Sequence, residues 1–321
     1  MTEPQQPQAG SEFFGAALEP ALRRMCNDRL APIHWFRTDW QRGGALTGYS
    51  TWQYDDRPPL DVVVKMPVPP RELLWLARLQ PDQHVFGQIT PLMLASGQAI
   101  GGYDLAWIVM ERMPHGPLNH AWNGCEVDLL SQAIVRFYCA AELHPIDQSP
   151  RRENWDDLLR RSRQALRDLQ LPKGQRWNAV IRTLQNKLDK LLNTWQAGDC
   201  RHWCHGDLHL ANLMTHQPPP DGPAMLFDFA MVHPGHWLED AIYFEHLYWS
   251  RMQRLSGRDV VKQIAQNRRA NHLSVADNWA HLANIRRCLV AGLAPAQQVD
   301  QSNPYHLHAS LSLLEKLLPV V

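Results

Sequence analysis

The sequence has no excess of charge of either sign: 32 Lys and Arg stand against 32 Asp and Glu over 321 residues. A nucleic-acid-binding surface leaves a basic footprint, so its absence argues against nucleic acid as a main partner. The adjacent pairs Arg151-Arg152, Arg160-Arg161, Arg268-Arg269 and Arg286-Arg287 fall in helical patterns and read as solvated faces, as do Arg160, Arg163 and Arg167 together. No apolar run approaches the length needed to span a bilayer, which excludes a helical membrane anchor from the expectation. Residues 1–12 lack the basic start and apolar centre of a secretory signal and read as a flexible leader. The six Cys show no disulfide-framework spacing, so reduced thiols and a cytoplasmic location are expected. What remains is 45% hydrophobic and 20% charged, the composition of a globular chain long enough for one large or two medium domains.

One stretch organises the rest. In Cys204-His205-Gly206-Asp207-Leu208-His209-Leu210-Ala211-Asn212-Leu213-Met214, Asp207 and Asn212 are five positions apart. Asp228 follows sixteen residues later in the apolar run Leu226-Phe227-Asp228-Phe229-Ala230. Phosphoryl transfer from a magnesium nucleotide uses such a set: one carboxylate receives the acceptor proton, while an amide and a second carboxylate hold the metal. Asn and Asp oxygens suit a hard cation such as Mg2+. Residues 215–223 carry Pro218, Pro219, Pro220, Gly222 and Pro223 and read as a turn. Leu213-Met214 and Met225-Leu226-Phe227 are then predicted to pair as a hairpin that brings Asn212 and Asp228 to one end.

At these residues the chain resembles the aminoglycoside phosphotransferase and choline kinase-like family, small-molecule relatives of protein kinases. That family carries His-Gly-Asp, four residues and Asn, then a hydrophobic segment containing Asp. Protein kinases read His-Arg-Asp and Asp-Phe-Gly, where this chain has Gly206 and Ala230. The resemblance covers roughly residues 30 to 290. It implies an α+β, bilobal fold: a small antiparallel-sheet N-lobe (13–113) and a larger, mainly helical C-lobe (114–321). It also implies Asp207 as the catalytic carboxylate, Asn212 and Asp228 as Mg2+ ligands, and ATP (or GTP) as co-substrate.

The upstream residues fit that frame. His34-Trp35-Phe36-Arg37-Thr38-Asp39-Trp40 and Tyr49-Ser50-Thr51-Trp52-Gln53-Tyr54 read as strands around a Gly-rich turn at Gly43 and Gly44. Alone the turn is only a turn; its position matches the loop that covers nucleotide phosphates in the family. Leu60-Asp61-Val62-Val63-Val64-Lys65 is a β-branched strand ending in Lys65. In isolation Lys65 is a snorkelling strand end; the resemblance makes it the phosphate-binding lysine. Helix 71–79 follows, with Pro70 at its start. Glu72, the only Glu between Lys65 and Glu111, is the candidate partner of Lys65. Strands 89–95 and 105–111 complete a five-stranded sheet. Glu111-Arg112-Met113-Pro114-His115-Gly116 resembles the family's hinge, where the Glu111 carbonyl and Met113 amide would pair with a purine.

Beyond the hinge the periodicity is helical at 127–144, 154–170, 176–197, 258–271, 274–292 and 305–319. In the family, helices inserted before the catalytic loop help wall the acceptor pocket. Asp240 is expected to cap or brace that loop, His205 to shape it, and His209 to brace it or touch the acceptor. Tyr243, Phe244, Tyr248 and Trp249 with Glu245 are either core at helical spacing or a box for a cationic acceptor. Cys200, His202, Cys204 and His205 supply four possible zinc ligands, although Cys204 also reads as a small buried hydrophobe on a strand. The expected function is phosphorylation of a hydroxyl on a small molecule such as an aminoglycoside, amino alcohol or sugar. A protein kinase and a nucleotide-binding scaffold without turnover are the alternatives. Acceptor and oligomeric state are open.

Overall fold

Alternation along Leu60–Met66 (β3) decides how the sheet is used. Val62, Val64 and Met66 are buried on one face, while Val63 and Lys65 point to the other. The computed structural model describes residues 10–36, 45–120, 123–150, 152–298 and 303–321, so Gly43 and Gly44 lie outside the described residues. Helix α1 spans Gly10–Met25, and strands β1 His34–Phe36 and β2 Leu46–Trp52 precede β3. Helix α2, Pro70–Phe86, is followed by β4 Met93–Gly97 and β5 Trp107–Glu111. The five strands form one antiparallel sheet in the order β1-β2-β3-β5-β4, as expected.

Three details differ from the sequence expectation. Helix α1 begins inside the stretch read as leader. It packs Leu18 and Leu22, with Cys26 just beyond its end, against the sheet face of Val62, Val64, Met66, Trp107 and Val109. Helix α2 continues past residue 79 through Pro81. Burial of Trp75, Leu76 and Leu79 fixes the preceding turns, which offsets the hydrogen bond a proline cannot donate. Residues 89–92 precede β4 because the Gln83 carboxamide oxygen takes the Ile89 and Thr90 amides at 3.0 and 3.3 Å.

The helical part contains α3 Cys125–Ala141, α4 Trp155–Asp168 and α5 Gly174–Gln196. Short strands β6 His202–Cys204, β7 Leu213–Thr215, β8 Ala224–Leu226 and β9 His233–Gly235 come next. Helices α6 Leu238–His246, α7 Val260–Ala270, α8 Trp279–Ala291, α9 Ala294–Gln297 and α10 Pro304–Leu317 complete the chain. The β7–β8 hairpin pairs Leu213 with Leu226, Met214 with Met225 and Thr215 with Ala224, as its sequence predicts. Arg160 pairs with Asp157 on the exposed side of α4, a solvated face.

The apolar core is continuous across the two parts. Val68, Trp75, Leu76, Leu79, Ile108 and Met110 from the sheet side join Leu130, Phe137, Trp203, Phe229 and Phe244 in one cluster. The connector after β5 is stitched to the hairpin: the amides of His115 and Leu118 donate to the carbonyls of Thr215 and Leu213. Gly116 allows that approach, because a Cβ there would lie 2.6 Å from Met214 Cγ.

Candidate active site

The loop after β6 is built around two backbone amides and a buried carboxylate. Gly206 has φ +83°, and a Cβ on it would stand 2.2 Å from the Met231 carbonyl oxygen, so the position accepts glycine alone. The His205 and Gly206 amides donate to the two Asp240 oxygens at 2.8 Å each, and the Tyr138 hydroxyl donates to Oδ2 at 2.9 Å. Asp240 is buried, and among the described residues these three donors are its hydrogen-bond partners. It is a brace. His205 is also buried: its Nε2 donates to the Phe227 carbonyl (3.0 Å), and its Nδ1 accepts from the Asp207 amide (3.4 Å). Burial lowers its pKa, so the ring is neutral and ties the Asp207 loop to the Asp228 segment.

Asp207 sits half-buried at the turn's apex. Tyr243 donates its hydroxyl to Oδ1 at 2.7 Å, and the Asn212 amide donates to the Asp207 carbonyl at 3.0 Å and to Oδ2 at 3.2 Å. His209 Nε2 is 3.4 Å from Oδ2. Burial raises the carboxyl's pKa, but the bonds from His209 and Tyr243 outweigh it and bring it down to about 2. Asp207 is therefore ionised at neutral pH. Burial and the Asp207 charge together push the Tyr243 phenol up, so it stays protonated as the donor.

The three spaced residues converge. Phe227 donates its amide to the Asn212 carbonyl at 3.0 Å, which closes the hairpin base and sets Asp228 beside Asn212. Because both Asn212 bonds to Asp207 use Nδ2, its Oδ1 is left as a bare oxygen. Asp228, at φ +58°, has a carboxylate with neither hydrogen bond nor ion pair among the described residues. Two unspent hard oxygens on adjacent strands' ends are a donor set that fits Mg2+.

On the sheet, Lys65 reaches across to α2, and its Nζ meets Glu72 Oε1 at 2.7 Å and Oε2 at 2.8 Å. Desolvation raises the Glu72 pKa, Lys65 lowers it and Asp228 raises it again, which places Asp228 within electrostatic reach of the pair. Arg71, the neighbour of Glu72, donates to the Val232 carbonyl at 2.6 Å, anchoring the start of α2 beyond the Asp228 segment. At the hinge, the Glu111 carboxylate accepts from the Leu92 amide at 2.8 Å, so this side chain braces β4. Met113 is buried, and its amide donates to nothing among the described residues.

A cavity of about 560 Å³ opens beside Asp207, lined in part by its partners Tyr243 and His209 together with Asn119, His246, Tyr248 and Arg251. The size is that of a small-molecule site.

A sequence model described as the phosphotransferase enzyme family matches residues 52–270, more than half of the chain. The chain belongs to this family. No curated protein matches this phosphotransferase in sequence. Among solved structures it is similar to an aminoglycoside phosphotransferase from Alicyclobacillus acidocaldarius subsp. acidocaldarius DSM 446, at 13% identity and a TM-score of 0.56. That match covers 99% of this chain and 96% of the other. It is also similar to a spectinomycin phosphotransferase solved with ADP and spectinomycin (10%, TM-score 0.52, 97% and 95% covered). A third likeness is to a microcompartment-associated aminopropanol kinase (13%, TM-score 0.53, 91% of each). At these identities the likeness establishes the kinase-like α+β fold.

The structure decides two alternatives that the sequence left open, and it departs from the solvated-face reading at Arg268 and Arg286, both of which are buried. The aromatic-acidic stretch is not a cation box. Phe244 is core, and Glu245 is held by Trp249 Nε1 at 2.9 Å and by Arg287. Only Tyr243, His246, Leu247 and Tyr248 of α6 and its extension line the cavity. The four possible zinc ligands do not gather, and Cys204 is buried on β6, as its reading as a small hydrophobe has it. Among the described residues the metal-competent trio is Cys204, His233 and Glu239, and Glu239 is already paired with His233 and Arg286. Tyr243 as a partner of Asp207 was not legible, because 36 residues separate them.

Proposed function

We propose that the protein transfers the γ-phosphoryl group of ATP (or GTP) to a hydroxyl of a small molecule bound in the cavity beside Asp207. The observation that carries the reading is the ionised Asp207 carboxylate, oriented by Asn212, Tyr243 and His209 at that cavity. One lone pair of Oδ1 remains after Tyr243, available to the acceptor hydroxyl. As that oxygen bonds to the γ-phosphorus and the bond to the leaving diphosphate breaks, the proton passes to Asp207. A carboxylate with so low a pKa is a weak base, so orientation precedes proton transfer, in keeping with a loose transition state.

Lys65, aligned by Glu72, would hold the α- and β-phosphates, and the Glu111 carbonyl and Met113 amide would receive the purine. Gly43 and Gly44 are assigned to the phosphate-covering turn by the sequence resemblance. Asn212 and Asp228 would hold Mg2+, which neutralises charge on the transferring phosphate. The N-lobe and C-lobe boundary at residues 113–114 and a cytoplasmic location belong to the same reading. Among the described residues no helix is long and apolar enough to cross a membrane.

The test compares Asp207→Asn with Lys65→Ala by nucleotide Kd and acceptor-saturated kcat. Asp207→Asn should leave nucleotide affinity nearly intact and lower turnover roughly 10²–10⁴-fold. Lys65→Ala should weaken binding and transfer together, since phosphate contacts act in both ground and transition states. Wild-type turnover in Asp207→Asn would sink the assignment.

A further inference from the structure

Arg71 stands in the first turn of α2, next to Glu72, and its guanidinium spans two segments of the helical part. Nη1 donates to the Val232 carbonyl at 2.6 Å, and Nη2 donates to the Gln148 carboxamide oxygen at 2.9 Å. The start of α2 has no side-chain cap, since Pro69 is at the N-cap and Pro70 follows it. Two further pairs join α2 to the same connector after α3. Arg78 Nη2 lies 3.6 Å from Asp147 Oδ2, and Asp82 Oδ2 lies 2.8 Å from His144 Nε2. The connector 144–148 thus runs antiparallel along α2 as a strap, and Arg71 is its last fastening before Glu72.

The other bond of Arg71 reaches the segment that begins at Asp228. α2 packs on the short turn Phe229–Met231, and the Val232 amide closes that turn by donating to the Phe229 carbonyl. The Met231 carbonyl oxygen, one residue before the atom that Arg71 holds, is what excludes a Cβ from Gly206. One guanidinium therefore joins the turn that carries Glu72 to the segment that carries Asp228, and that segment rests on the Asp207 loop.

This joint has a repulsion to overcome. Burial raises the Glu72 pKa, Lys65 lowers it and the Asp228 charge raises it again, so the acids on its two sides oppose each other. Both acceptors of Arg71 are neutral, a carbonyl and a carboxamide, so the bonds hold whatever charge either acid carries and need no phosphate group. A planar guanidinium suits two acceptors on separate segments, which a single ammonium does not.

We infer that Arg71 is a positioning residue: it holds Glu72, and with it Lys65, in register with Asp228, so that phosphates and metal are received as one unit. This rests on the proposed roles of Lys65 and Asp228. The experiment measures the Kd of AMP-PNP, a non-hydrolysable ATP analogue, on the full chain by isothermal titration calorimetry, in magnesium and in excess chelator. In wild type, magnesium should tighten binding about tenfold, an ordinary coupling between two sites. Arg71→Met keeps the apolar stem but loses both bonds, and it should cut that gain to about twofold. In a Glu72→Gln background, Arg71→Met should change the gain by less than about twofold, because the group it positions has already lost its charge.

A role in holding the fold together alone would lower Tm in both backgrounds and leave the magnesium gain where it was. A wild-type gain in Arg71→Met, or an equal loss with and without Glu72→Gln, overturns the inference. If Arg71→Met does not fold, Arg71→Lys and Gln148→Leu replace it; each should lose part of the gain, and a wild-type gain in both is the overturning result. The two readings fail separately. If magnesium leaves wild-type binding unchanged, or Lys65→Ala does, the nucleotide-site reading falls and takes this inference with it. If both matter and Arg71→Met keeps the gain, only the role of Arg71 falls.

Discussion

At the scale of single residues, the site depends on how Asp207 is kept ionised. Burial alone would raise its pKa; hydrogen bonds from His209 and Tyr243 reverse that and hold it near 2. Tyr243→Phe removes one of these donors without a change in shape. The Asp207 pKa should then rise, by roughly one unit for a hydrogen bond to a charged group. In the proposed mechanism the ionised form is the active one, so the acid limb of kcat/KM against pH should move upward in the variant, while the rate at neutral pH changes little. An acid limb in the same place would show that Tyr243 does not tune this carboxylate. The convergence of Asp207, Asn212 and Asp228 was readable from their spacing because they belong to one contiguous loop and hairpin. Lys65 and Glu72 were readable for the same reason, being seven residues apart across one tight connection. Tyr243 and Asn119 were not, since a helix thirty-six residues downstream and a connector on the far side of the hairpin carry no local mark of where they end up.

At the scale of elements, Asp240 is where α6 braces the Asp207 loop. One carboxylate satisfies two loop amides and a buried phenol. Asp240→Ala would strand all three in an environment without water, and the loss should be about 2–5 kcal/mol, seen as a lower Tm and denaturation midpoint. Asp240→Asn keeps one acceptor oxygen and should lie between the two. Equal stability of wild type and Asp240→Ala would remove the bracing role. The β7–β8 hairpin was legible from its proline-rich turn and its flanking apolar runs, and the central strand from its β-branched run. Helix α1 was not, because Gly10, Gly15 and Pro20 give it the composition of a loop, and its stability comes from the sheet face beneath it. The end of α2 was misplaced by the opposite error: Pro81 is a stop signal that tertiary burial overrides.

For the whole molecule, the residues proposed to hold nucleotide and metal are divided between sheet and helical part, so on that proposal both ligands should be felt globally. At about 100 times its Kd, magnesium ATP should add roughly 2.7 kcal/mol to the stability of the folded chain. Asp228→Ala, or excess chelator, should remove most of the magnesium-dependent share of the resulting Tm shift. A shift that is indifferent to chelator would count against Asn212 and Asp228 as the metal's ligands.

The apolar cluster that runs from Trp75 and Ile108 through Trp203 to Phe244 bears on how the chain comes apart. Trp75 meets Trp203 edge-on, with ring centroids 4.8 Å apart, so a helix of the sheet part and the strand that leads into Asp207 share one packed contact. A cut between the two parts would expose apolar surface on both sides of that contact. A calorimetric thermogram should accordingly hold a single endotherm, and fragments cut after residue 113 and purified apart should each lack cooperative melting until they are mixed.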